Sequence, residues 1–168
     1  MSATTWNGLQ GFREERATDS AGPLEPPPDL WTVGYEGREL AAFLELLHER
    51  NIESLIDVRE LPLSRRRGFS KSSLGDALSR AGIQYIHLRA LGSPRALRHR
   101  YKAGGERSAF MADYSAHLSR QQEALSILIA LVATTTLAIM CFENDYRDCH
   151  RSVIGQHLAD SGLQVGHL

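Results

Sequence analysis

The chain has 168 residues, 42% of them hydrophobic, enough to bury a full core as one ordinary globular domain without covalent staples. Two cysteines exclude a disulfide framework, and residues 1–29 lack the charged-then-apolar pattern of a secretory signal, so a cytoplasmic protein with reduced thiols is expected. The net charge of −1 conceals a basic block: residues 59–107 hold twelve Lys/Arg against three Asp/Glu, a local +9 that suggests an anionic partner, either a small molecule or nucleic acid.

Residues 1–29 mix small polar and charged residues and close on Pro26, Pro27 and Pro28, the composition of an extended or disordered tail, so the α/β domain is expected over 30–168. Trp31 to Gly34 reads as a first strand. Leu40, Phe43, Leu44 and Leu47 then repeat at helical spacing, with Asn51 placed for a left-handed cap. Residues 54–58 form a second strand and lead into an arginine-rich loop, 59–69. Ser70 follows as an N-cap, with Phe69 and Leu74 positioned as a hydrophobic staple and Gly82 as the stop. A third strand, 83–88, precedes a second basic loop, 89–107, in which no regular element is evident. Phe110, Tyr114, His117 and Leu118 begin a helical stripe that continues through Leu125, Leu128 and Val132.

The uncharged stretch 124–142 is 19 residues long, near the ~20 needed to span a bilayer. Thr134, Thr135 and Thr136 interrupt it, and the preferred reading is a helix end followed by a buried strand, 136–142, with no membrane association. A helix carrying Val153, Ile154 and Leu158 and a closing strand, 164–168, complete an alternation of strands and helices. The expected fold is therefore α/β, a single domain with a mainly parallel sheet and helices on both faces. In that topology the loops after strands one to four gather at one sheet edge, where open α/β sheets bind their ligands.

The richest of those loops runs from Cys141 to Ser152. With Asp148 as N-cap, His150 and Arg151 fall in the first turn of a helix starting at Cys149, where a cation is disfavoured by about 0.3–1 kcal/mol. An anion should offset this, either a bound phosphate or carboxylate or the chain's own Glu143, Asp145 or Asp57. Cys149, beside a helix terminus and two cations, has the setting of a reactive thiol, although a small buried residue would also suit the position. Cys141 and Arg147 have the spacing of a phosphatase or rhodanese loop, but the acids and the tyrosine between them would obstruct an anion cradle. Cys141, Glu143, Cys149 and His150 are suitable metal-ligand types without metal-ligand spacing, so no metal is expected. Gly34 and Gly37 bound a turn, but the glycine pattern of a dinucleotide site is missing, and the residues name no cofactor. Asp57 and Arg59 form either a salt bridge or an acid and a cation facing the crevice. His87 reads as a satisfied edge histidine.

The set of Thr32 to Arg38, Asp57 to Arg59, Phe69 and Ser70, Gly82 to Tyr85, Leu91 to Pro94, and Cys141 to Glu143 ahead of Cys149, His150, Arg151 and Ser152 resembles the family known as domain of unknown function 488. The resemblance implies an α/β domain from about Trp31 onward with Cys-His-Arg as its hallmark, and it implies no particular reaction. Two functions are carried forward. The first is an enzyme for a phosphate- or nucleotide-bearing substrate, with Cys149 as nucleophile, Glu143, Asp57 and His150 as further catalytic candidates, and Tyr35, Arg59, Arg65, Arg66, Arg151 and Ser152 holding negative charge. The second is a non-catalytic nucleic-acid-binding module using the basic loops 59–70 and 89–107.

Overall fold

The computed structural model describes residues 27–168, so all but the last three residues of the expected tail lie outside the described residues. Five strands form one sheet: β1 (Leu30–Gly34), β2 (Ser54–Asp57), β3 (Gln84–His87), β4 (Leu137–Cys141) and β5 (Val165–His167). Their order is β3-β2-β4-β1-β5, and every pairing is parallel. The α/β expectation therefore holds, with a sheet parallel throughout. β4 is central and buried at all five positions, which accounts for its unbroken apolar sequence. The 19-residue uncharged stretch is divided between a helix and this strand, and no helix among the described residues is long and apolar enough to cross a membrane.

Six helices cover the two faces: α1 (Leu40–Glu49), α2 (Lys71–Arg80), α3 (Arg95–Lys102), α4 (Arg107–Leu118), α5 (Gln122–Val132) and α6 (Arg151–Asp160). Successive strand residues point to opposite faces, and the core divides accordingly. Leu55 and Met140 pack with Phe43 and Leu47 of α1 and Leu74 and Leu78 of α2. Ile56, Ile139 and Cys141 pack with Tyr114 of α4, Leu128 of α5 and Ile154 of α6. The chain leaves β1 and β2 for α1 and α2 on one face, whereas it leaves β4, which lies between them, for α6 on the other. The loops diverge there and open a crevice at the end of β4.

Four local expectations are corrected. The stripe through Val132 is two helices, broken at residues 119–121, where the Ser119 hydroxyl donates to the Ala116 carbonyl and the Gln122 amide donates to the Ser119 carbonyl. The basic loop 89–107 contains a short 3₁₀ turn, Arg89–Leu91, and α3. Apolar periodicity missed α3 because it buries no residue of its own; its Tyr101 ring stacks on Phe110 of α4 at 4.9 Å. Ser70 does precede α2 in extended conformation, but its hydroxyl bonds both backbone groups of Ser64 and clamps the arginine loop in place of capping the helix. Finally, Asp148 ends a 3₁₀ turn, Tyr146–Asp148, that Asp145 caps, so α6 begins at Arg151 with His150 as its N-cap and Cys149 just outside it. Asn51 adopts the left-handed conformation expected of it, with φ of 52°.

Candidate functional site

Asp57 ends β2 fully buried, and a carboxylate there requires partners. It accepts hydrogen bonds from the Arg59 main-chain N–H (3.0 Å), Arg59 Nε (2.9 Å) and Nη2 (2.6 Å), and the Tyr85 hydroxyl (2.6 Å). Arg59 Nη1 donates to the Tyr35 hydroxyl and the Phe69 carbonyl, each at 2.9 Å. Burial works to lower the Arg59 pKa, but the bonds to Asp57 prevail and raise it. Burial, then the bond to Asp57, raises that of Tyr85. Asp57 and Arg59 thus form the salt bridge, not the free acid and free cation of the other reading. Together they fasten the loops that follow β1 and β2. His87 Nε2 meets the Arg59 carbonyl at 2.8 Å, a satisfied edge histidine as expected.

Beside this frame, Cys141 at the end of β4 meets Cys149 and His150 ahead of α6. The two sulfurs and His150 Nδ1 lie within 4.8 Å of one another, and all three residues are buried. His150 Nδ1 is 3.6 Å from the Cys149 sulfur and 3.9 Å from that of Cys141. Its Nε2 meets the Val58 carbonyl at 3.1 Å; since a carbonyl only accepts, Nε2 carries a proton. Arg151 is fully buried and turned inward. Its Nε lies 3.4 Å and its main-chain N–H 3.5 Å from the Cys149 sulfur, and Nη2 donates to the Glu143 carbonyl. The next N–H groups of α6 bond the Cys149 and His150 carbonyls. The Arg151 N–H and Nε therefore point at the Cys149 sulfur while Nη1 is buried without a partner, and two of the acids the sequence offered as counterions are engaged elsewhere, Asp57 with Arg59 and Asp145 with Arg147.

The electrostatics follow from this geometry. Burial acts to raise the Cys149 pKa, but the bond from Cys141 and the charges of His150 and Arg151 carry it well below the usual thiol value. Cys141 moves the opposite way, raised by its bond to Cys149, then by burial. Burial alone would lower His150, yet the adjacent Cys149 charge raises it. Glu143 is raised by burial, then by the Cys149 charge, and its Oε2 is buried without a hydrogen-bond partner. Three donor atoms this close could share a metal; the guanidinium already bonded to one of them opposes a second cation.

A cleft of about 920 Å³ opens above this floor. Tyr35, Arg59, Arg65, Arg66, Glu143, Cys149 and His150 all line it. Asp57 and Arg151 lie beneath the lining. Ser152 faces elsewhere, its hydroxyl bonding the Cys149 carbonyl and the Met111 sulfur, so it holds no group in the cleft. Arg66 is partly engaged with the Arg38 carbonyl and Glu39, whereas Arg65 and Lys102 are exposed and form no ion pair among the described residues. Sequence reasoning missed Cys141 as a floor residue, although a cysteine at a strand end facing a second one was the available signal. It also missed Lys102 and the Arg98–Glu60 pair at 2.8 Å, because α3 was not recognised.

Two glycines set the approach of the loops. A Cβ on Gly34 would stand 2.6 Å from the Glu143 carbonyl carbon and 2.8 Å from Asn144 Cα, and one on Gly92 would stand 2.9 Å from the Arg59 carbonyl carbon. Gly34→Ala is expected to displace the Glu143 loop and to cost about 1–3 kcal/mol or more through overpacking against backbone. Urea denaturation measures that cost, and a variant as stable as the parent would show that the loop yields freely.

Comparison with known proteins places this site in one family. No curated protein and no solved structure matches the chain. The family model described as Domain of unknown function DUF488 matches residues 39–158, a span that includes Asp57, Arg59, the second basic loop, Cys141, Glu143 and the whole Cys149 cluster. The chain belongs to the domain of unknown function DUF488 family.

Proposed function

We propose that this protein is an enzyme that uses the Cys149 thiolate as a nucleophile on a phosphate- or nucleotide-bearing substrate held in the cleft. The observation that carries this reading is the placement of the Arg151 guanidinium and main-chain N–H on the Cys149 sulfur at the cleft floor. A buried cation aimed at a thiol favours the ionised, nucleophilic form. Glu143, whose raised pKa keeps its proton at higher pH, serves as general acid. Attack by sulfur breaks the bond to the leaving group, which departs with the Glu143 proton. Water then cleaves the bond to sulfur, restoring the thiolate and returning a proton to Glu143. The substrate's charge rests on Arg65, Arg66 and Lys102 at the rim, since the α6 terminus is already occupied.

The nucleic-acid alternative draws on α3, which carries Arg95, Arg98, His99, Arg100 and Lys102 and no acid. Two of these are paired, Arg98 with Glu60 and Arg100 with Asp113, which favours the small anion. Alkylation by iodoacetamide against pH tests the main reading. The rate follows the thiolate fraction, so it should rise and reach its plateau well below the ordinary thiol pKa of about 8.5. A folded Cys149 that does not react, or that titrates as a free thiol, removes the nucleophile. In a thermal-shift series, nucleotides and sugar phosphates should stabilise the protein. No response to them, together with tight salt-sensitive binding to DNA or RNA, would support the alternative.

A further inference from the structure

We propose that Cys141 is the resolving thiol of Cys149, so that the two form a dithiol–disulfide couple that opens and closes with hydroperoxide. The inference rests on the thiolate reading of Cys149 and adds a second chemistry to the same floor. Both cysteines are free thiols, buried, and flank the cleft, with sulfurs no more than 4.8 Å apart. A disulfide needs about 2.05 Å between them, so oxidation must draw the two sulfurs together.

The surroundings of the two sulfurs differ. Cys149 receives the Arg151 guanidinium, the Arg151 N–H and His150 Nδ1, whereas Cys141 has the longer contact to the same nitrogen and no hydrogen bond from Arg151. One sulfur is thus supported as an attacking thiolate and its neighbour retains a proton, the asymmetry that a nucleophile and a resolving partner require. Both cysteines line the cleft, the route by which a hydroperoxide reaches the Cys149 sulfur.

Oxidation proceeds in two steps. The Cys149 thiolate attacks one oxygen of the hydroperoxide and the O–O bond breaks. Sulfur is oxidised by two electrons to a sulfenic acid, and the departing oxygen takes the proton of the His150 imidazolium. The Cys141 sulfur then bonds to that of Cys149, and the sulfenic hydroxyl leaves as water with the Cys141 proton. One peroxide and two thiols give one disulfide and two waters, or one water and an alcohol from an alkyl hydroperoxide. A dithiol reductant reverses the bond.

Hydrogen peroxide, with dimedone as the trap for sulfenic acid, tests the couple on the full chain by mass spectrometry. The parent protein should lose two hydrogens, show a Cys141–Cys149 cross-linked peptide, resist dimedone and recover both thiols with dithiothreitol. Cys141→Ser should accumulate dimedone-labelled Cys149, and Cys149→Ser should form neither product. Equal dimedone labelling of Cys149 in parent and Cys141→Ser protein would overturn the resolving role and leave the thiolate reading intact. A Cys149 inert to peroxide but alkylated at low pH would likewise remove the couple alone. Inertness to both reagents would remove the thiolate reading, and the couple with it. Purified protein whose thiols are masked by a bound metal until chelation would also overturn the couple.

Discussion

Asp57→Ala is expected to destabilise the protein by about 3–5 kcal/mol, because it leaves the Arg59 guanidinium, only 6% exposed, without its counterion. The loss should be larger than pair-counting suggests, since the Tyr85 hydroxyl and the Arg59 N–H lose their acceptor as well. Replacing both members with apolar residues, Asp57→Leu with Arg59→Met, should cost much less than the sum of the single changes, because the uncompensated charge disappears. Urea denaturation of the three variants gives the values. A single change costing under about 1 kcal/mol would mean that water reaches Arg59 and that the node does not hold the loops.

Arg151→Met should slow alkylation of Cys149 about 10- to 1000-fold at pH values below the onset of the parent's plateau. An opposite charge at this range lowers a pKa by roughly 1–3 units, and each unit restored on its removal is tenfold in thiolate fraction below the pKa. The pH profile should move upward with the same plateau at high pH. That shift separates loss of charge from loss of structure, since a collapsed site would change the plateau. Arg151→Lys should recover part of the effect, as a point charge that lacks the guanidinium fork. An unchanged profile in Arg151→Met would transfer the support of the thiolate to His150 alone.

The fold was legible because its apolar pattern is unusually clear. β4 is buried on both faces and reads as a solid apolar run, β2 shows its apolar pair Leu55 and Ile56, and α1, α2 and α5 show helical stripes. α3 was illegible for the converse reason: it is a basic surface helix with no fully buried residue, whose Leu97 and Tyr101 make too short an apolar pattern to mark it. The site was legible as a location, because Glu143, Cys149 and His150 all follow the central strand. Its charge assignments were not. From sequence, Arg59 and Arg151 are two more cations of a basic protein, and only the folded chain shows that each turns inward to serve a neighbour, Asp57 in one case and the Cys149 sulfur in the other. The start of α6 was misplaced by a few residues because a 3₁₀ turn with its own aspartate cap imitates a helix start.

The contacts at Gly34 and Gly92 carry an engineering consequence. Where main chain rests directly on main chain, the spacing between the loops is fixed by atoms that every residue type shares, and the side chains that project past the contact take no part in setting it. Leu61, Leu63, Arg65 and Lys102 can then be exchanged as interchangeable fittings on a rigid mount, so the selectivity of the opening can be redesigned while the chemistry at its base stays in register.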